Sequence, residues 1–120
     1  MTPKEIPILF TVTAPLALDH ERVIALNCEV ILGPSGPMPL ADVTHMRLAD
    51  LTAEVLLALE PSLIILPLFA ADFDATTAIE TLLDLGFTGR VTVLAPALPK
   101  PRLVERELRS LGLQVTLITP

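Results

Sequence analysis

Tryptophan and tyrosine are missing from the chain, and four phenylalanines are its whole aromatic content. A core of any size therefore has to be assembled from Leu, Ile, Val and Ala, which suits helices packed on a buried parallel sheet. A single cysteine, Cys28, excludes an internal disulfide, and no paired Cys/His spacing suggests zinc. A reducing, cytoplasmic setting is the expectation. Positive charge is scarce: 8 Lys and Arg stand against 14 Asp and Glu, a formal charge of -6 that repels a nucleic acid backbone. No nucleic acid partner is expected. The most apolar window, Val55 to Ala71, is broken by Glu60, Pro61 and Pro67 and falls short of the roughly 20 residues that cross a bilayer, so no membrane partner is expected either. The opening Met1-Thr2-Pro3-Lys4-Glu5 has no basic segment leading into an apolar stretch, and no signal peptide is expected.

What is present is 120 residues that are 52% hydrophobic, enough for one core and too few for two, so residues 1–120 are taken as a single domain. The second half alternates helix and strand, the sign of βαβ units. Leu48, Leu51, Val55 and Leu59 recur at helical spacing and predict a helix over 44–59, with Asp42 or Thr44 as N-cap and Pro61 just beyond its end. Leu63-Ile64-Ile65-Leu66, bounded by Pro61 and Pro67, suits a strand buried on both faces. Asp74 is placed to cap a helix whose inward face is Ala78, Ile79, Leu82 and Leu85, and Gly86 to supply a left-handed C-terminal position. Val91 to Leu94 is the next strand. Pro101 opens a helix that reaches Leu111 and stops at Gly112, with Val104, Leu108 and Leu111 inward and Glu105 and Arg109 paired at i,i+4. Val115 to Ile118 makes a last strand.

The N-terminal third is less sharply patterned. Ile8 to Val12 reads as a strand, and 16–27 as a short helix or part of a long strand through Leu32; helix is favoured, with Val30 to Leu32 as the second strand and Gly33 to Pro39 as an extended loop. That gives βαβαβαβαβ.

Two segments, Leu59-Glu-Pro-Ser-Leu-Ile-Ile-Leu-Pro-Leu-Phe-Ala-Ala-Asp-Phe-Asp-Ala and Leu85-Gly-Phe-Thr-Gly-Arg-Val-Thr-Val-Leu-Ala-Pro, joined by the helix that Asp74 caps, together resemble the receiver domain of the CheY-like response-regulator family. Members typically read Lys-Pro-Asp-Leu-Ile-Leu-Leu-Asp-Leu-x-Met-Pro-x-Met-Asp-Gly in the first, then a helix, Leu-Gly, and a strand ending in Thr or Ser followed by Ala. From Pro61 to Pro96 the match needs no gap, and Ile118-Thr119-Pro120 falls where the family has its Lys-Pro. About half the chain is covered. The resemblance implies an α/β fold of the flavodoxin/CheY-like kind: a three-layer sandwich around a five-stranded parallel sheet, here without the family's final helix.

The departures fall on the positions that carry the family's chemistry. The phosphoacceptor position is Pro67, which has no carboxylate to act as a nucleophile or to bind Mg²⁺. The Thr or Ser that reports phosphorylation corresponds to Ala95, and the Lys to Thr119, so hydroxyl and cation are both missing. The acidic pair should follow the first strand, where the chain has Thr13-Ala14, or Asn27-Cys28-Glu29 if Arg22 to Leu26 is that strand; neither supplies it. The resemblance therefore implies a non-catalytic pseudo-receiver, not an enzyme, serving signal transduction as a protein-interaction or regulatory domain without a cofactor. An uncovered face of an apolar sheet is a liability in solution, so a protein partner, and a homodimer in particular, is expected.

The remaining polar residues carry little. Asp72 and Asp74 follow the third strand at the carboxyl edge, where open α/β sheets bind ligands; they are the candidates for a small-molecule site, against the plainer reading of Asp74 as helix cap and Asp72 as loop. His20 and His45 lack nearby ligand-type partners, so no metal site is expected. Cys28 has no identifiable base and reads as a buried apolar thiol. Gly33 to Pro37 holds two glycines, but its prolines remove the amide donors a phosphate cradle needs. Lys100, Arg102, Arg106 and Arg109 are interrupted by Glu105 and Glu107, as in a solvated helix face.

Overall fold

The computed structural model describes residues 8–12, 22–32 and 42–120, with side chains described over 22–28 and 43–120. Along these residues run β1 (Ile8–Val12), β2 (Arg22–Leu26), β3 (Cys28–Leu32), β4 (Asp42–Met46), α1 (Ala53–Leu59), β5 (Leu63–Pro67), α2 (Ala75–Asp84), β6 (Arg90–Leu94), α3 (Pro101–Arg109) and β7 (Gln114–Ile118). Five strands form an all-parallel sheet in the order β4-β2-β5-β6-β7, while β1 and β3 pair, also in parallel, in a separate two-stranded sheet. Counted among the strands of the larger sheet alone, the order is 2-1-3-4-5, that of flavodoxin-like doubly wound folds.

The five-stranded parallel sheet is as the sequence predicts, but its first two members are not the predicted ones. Residues 22–26, expected within a helix, form β2, and Ile8–Val12 pairs with Cys28–Leu32 in a sheet of their own. The reason is visible in β2 itself. Val23-Ile24-Ala25-Leu26 is a continuous apolar run buried on both faces, the signature of an interior parallel strand, and Asn27 ends it with a left-handed φ of 56°, a conformation Asn tolerates better than most residues. The helix predicted over 44–59 is also shorter than expected. Asp42–Met46 is the edge strand β4, Leu48–Asp50 forms a single 3₁₀ turn, and the helix proper begins after Thr52, whose hydroxyl accepts from the Val55 amide. The loop expected over 33–39 and His20 lie outside the described residues.

Strand alternation divides the sheet into two faces. Ile24, Leu26, Ile64, Leu66, Val91, Val93, Val115 and Leu117 point to one side and pack under α1, α2 and α3, through Val55, Leu56, Leu59, Ala75, Ala78, Ile79, Leu82, Val104 and Leu108. Val23, Ala25, Leu63, Ile65 and Leu94 point to the other and are buried with Cys28. Among the described residues no helix packs on this second face. The helix layer of the predicted sandwich is thus described on one side of the sheet.

The second face is apolar at its centre and polar toward the β7 border, where Gln114 and Thr116 are exposed. β7 thereby alternates as a strand with one wet face does.

α2 ends where the sequence places its end. Gly86, at φ 90°, follows the last turn, its amide donates to Leu83 O and the Phe87 amide donates to Leu82 O, the paired bonds of a Schellman cap. Three residues on, Gly89 is required for a different reason: a Cβ there would lie 2.6 Å from Ser62 O and 2.6 Å from the Phe87 ring. Gly89→Ala should therefore lower the urea-unfolding stability by about 1–3 kcal/mol, the usual cost of overpacking. Leu57→Ala, at a side chain left 77% exposed, should stay within about 0.5 kcal/mol of wild type; equal losses from the two would contradict this packing.

Candidate functional site

In a parallel sheet every strand ends at the same edge, so the residues that follow β4, β2, β5, β6 and β7 gather along one border. These are Arg47, Asn27, Leu68, Ala95 and Thr119, with Pro67 the last residue of the central strand. The predicted positions Pro67, Ala95 and Thr119 thus lie on three adjacent strands, Pro67 in register with Leu94 and the Ala95 amide bonded to Ile118 O at 2.9 Å.

Proline is unusual in a central strand because it cannot donate to the ladder. Here the geometry accommodates it. Leu68 N–H donates to Leu94 O, so alternation turns the nitrogen of residue 67 toward β2, and the β2 pairing already ends at Ala25 opposite Ile65. The ladder between β2 and β5 therefore stops where proline has no N–H to carry it on to Leu26 O. Pro67 is buried, as is Ala95, and neither brings a side-chain heteroatom to the edge.

Of the two possible places for an acidic pair, β2 selects Asn27-Cys28-Glu29, because Arg22–Leu26 is the first strand of the main sheet. Asn27 is committed structurally. Its amide donates to Met46 O at 2.9 Å and its Oδ1 accepts from the Leu48 amide at 2.7 Å, which ties the tip of β2 to the turn after β4. Cys28 lies against β5, its Sγ 4.0 Å from Ile65 O, and burial pushes its thiol pKa up to about 12.

No protein-family model, curated protein or solved structure matches the chain.

The two aspartates at this border do separate work. Asp74 caps α2, its Oδ1 accepting from the Thr77 amide at 2.9 Å. Asp72 receives the Arg47 guanidinium at 2.9 Å, across the loops after β4 and β5; both side chains are more than half exposed, so the pair orients the loops more than it stabilises them. The same loop leaves Phe69 61% exposed. His45 is exposed on the second face of the edge strand β4. Among the described residues no three His, Cys, Asp or Glu side chains are grouped to hold a metal ion, and no helix is long and apolar enough to cross a membrane. A groove of about 610 Å³, lined by Leu56, Leu57, Pro61 and Phe87 among others, lies at the opposite end of the sheet, between α1 and the turn that follows α2.

The basic run on α3 is only partly the solvated face expected of it. Glu105 is buried at 7% exposure. One carboxylate oxygen accepts from the Leu117 amide at 2.8 Å, the other from Arg102 at 3.3 Å, and Arg109 lies 3.9 Å from that second oxygen while its Nε donates to Val115 O at 2.7 Å. The sequence carries a signal for this. Pro101, Glu105 and Leu108 share the inward stripe at i, i+4 and i+7, so Glu105 occupies an inward position that the i,i+4 pairing with Arg109 obscures.

Both Asp74 and Glu105 hold their carboxyl pKa below the ordinary value, Asp74 chiefly through the Thr77 amide, Glu105 chiefly through the Leu117 amide with the two guanidinia assisting against the cost of burial. Folding lowers both values, so each contributes stability that is complete above the carboxylate range of the unfolded chain and lost as pH falls through the folded values. Urea-unfolding stability should decline below about pH 4, and more gently in Glu105→Gln, which keeps an acceptor but no titrating charge. Glu105→Ala should cost about 1–3 kcal/mol at neutral pH, because it strands the buried Leu117 amide; an unchanged acid profile in both variants would remove Glu105 from this account.

Proposed function

We propose that the chain is a receiver-like domain without aspartyl phosphorylation, used as a rigid scaffold for protein contacts or regulation rather than as an enzyme. The observation that carries this is Pro67 at the carboxyl tip of the central strand, where the resemblance expects the phosphoacceptor. A pyrrolidine ring offers no nucleophile and no metal ligand. The 2-1-3-4-5 strand order supports the same reading, as do Asn27 at the tip of the first strand, occupied by backbone contacts, Ala95 in place of a reporter hydroxyl and Thr119 in place of a cation. The buried thiol of Cys28 agrees with a reducing, cytoplasmic setting. The partner is a protein, with a homodimer as one form; β7 presents polar residues on its second face, so the contact is sought elsewhere on the domain.

A second reading is small-molecule binding at the carboxyl edge. It is favoured by Phe69, an exposed ring in the loop that the Arg47–Asp72 pair pins, since an exposed aromatic face at the carboxyl edge suits a planar ligand. A thermal-shift screen of nucleotides and metabolites separates the two: a ligand whose stabilisation disappears in Phe69→Ala favours the binding module.

Incubation with acetyl phosphate or beryllofluoride and Mg²⁺ should leave the intact mass and the amide chemical shifts of Leu66, Leu68, Phe69 and Ala95 unchanged. A phosphoryl adduct, or specific shifts along this border, would refute the pseudo-receiver.

A further inference from the structure

β7 is the outer strand of the five-stranded sheet, so among the described residues one row of its backbone groups has no neighbouring strand, and such an edge is a template for another chain. The Ala95 amide bonds Ile118 O, which fixes the alternation: residues 114, 116 and 118 direct their backbone groups to β6, while Val115 and Leu117 direct theirs outward. Two outward groups, the carbonyl of Val115 and the amide of Leu117, are those taken by Arg109 and Glu105. In a parallel neighbour one residue would accept from the amide and donate to the carbonyl on either side of Thr116. The carboxylate and guanidinium, 3.9 Å apart on successive turns of α3, supply that acceptor and that donor.

We propose that Glu105 and Arg109 stand in for a sixth strand and close β7 against antiparallel pairing with β7 of a second copy of this chain. The occupant follows from the register. A two-fold axis through Thr116 sets Val115 of each copy opposite Leu117 of the other, and both pairs exchange N–H and C=O in each direction. The strand is its own complement there, and the cap occupies one donor and one acceptor of that set. Thr116 projects from the exposed second face, so the two copies of this residue would meet directly at the axis. The inference depends on the β7 edge alone and is independent of the receiver-like reading.

Light scattering of the full chain tests it, with wild-type mass at the same concentration as the reference. Glu105→Ala/Arg109→Ala should give an about twofold larger mass, and adding Thr116→Lys, which places like charges opposite each other across the axis, should return it to the reference. Thr116→Lys alone should leave the wild-type mass unchanged. A double variant that is folded by circular dichroism yet keeps the wild-type mass overturns the proposal, as does a larger mass that Thr116→Lys does not reverse. A fall in wild-type mass on Thr116→Lys also overturns it, because the edge would then already be open. Should the double variant fail to fold, Arg109→Ala, which removes a half-exposed side chain, is judged by the same outcomes.

Discussion

The structure depends on one constraint: the central strand has no wet side. All five residues of β5 are buried, and a parallel strand in that position needs apolar cover above and below it. β2 meets the same requirement with Val, Ile, Ala and Leu, and β6 with Val and Leu around one buried threonine, Thr92, which is how a chain almost without aromatic residues fills an interior. At roughly 25 cal/mol per Å² of apolar surface removed from water, these short aliphatic runs are the main source of cohesion, and the three helices are amphipathic because one face of the sheet demands it.

Toward the borders the demand relaxes and polar chemistry takes over. β4 carries Thr44 and His45, β7 carries Gln114 and Thr116, and the strand ends are tied by individual bonds rather than by burial. Asn27 fastens β2 to the turn after β4, Asp72 and Arg47 join two loops, and Glu105 and Arg109 answer the outward backbone of β7. The fold is thus apolar in its middle and polar at its rim. Pro67 belongs to both regimes, buried like the strand it ends, yet placed where the ladder toward β2 has stopped.

Legibility in the sequence followed the strength of local pattern. From Pro61 onward each buried strand is flanked by proline or glycine, α2 has its own cap and α3 its opening proline, so β5, β6, β7, α2 and α3 were readable in place, together with the Asp74 cap and the left-handed Gly86. The N-terminal third misled because the short apolar runs Leu16 to Leu18 and Val23 to Leu26, on either side of Asp19-His20-Glu21-Arg22, show no clear period and serve a helix or a doubly buried strand equally well. β4 was absorbed into the following helix because Leu48 and Leu51 continue the inward stripe of Val55 and Leu59 through a 3₁₀ turn. At the candidate site Pro67, Ala95 and Thr119 were singled out by the receiver resemblance, and they fall at or just past the ends of β5, β6 and β7. Asn27, Arg47 and the inward turn of Glu105 depend on contacts between segments distant in the chain, which no local pattern encodes.

Cys28 gives this architecture its own gauge. With its thiol pKa near 12 almost none of it is thiolate at neutral pH, and only the thiolate attacks electrophiles, so alkylation must wait for the second face to open around β2 and β5. The labelling rate then counts the openings that expose Cys28, whereas amide exchange along β7 reports the rim, so that local openings of the two halves of one small sheet become kinetically distinguishable without any added probe.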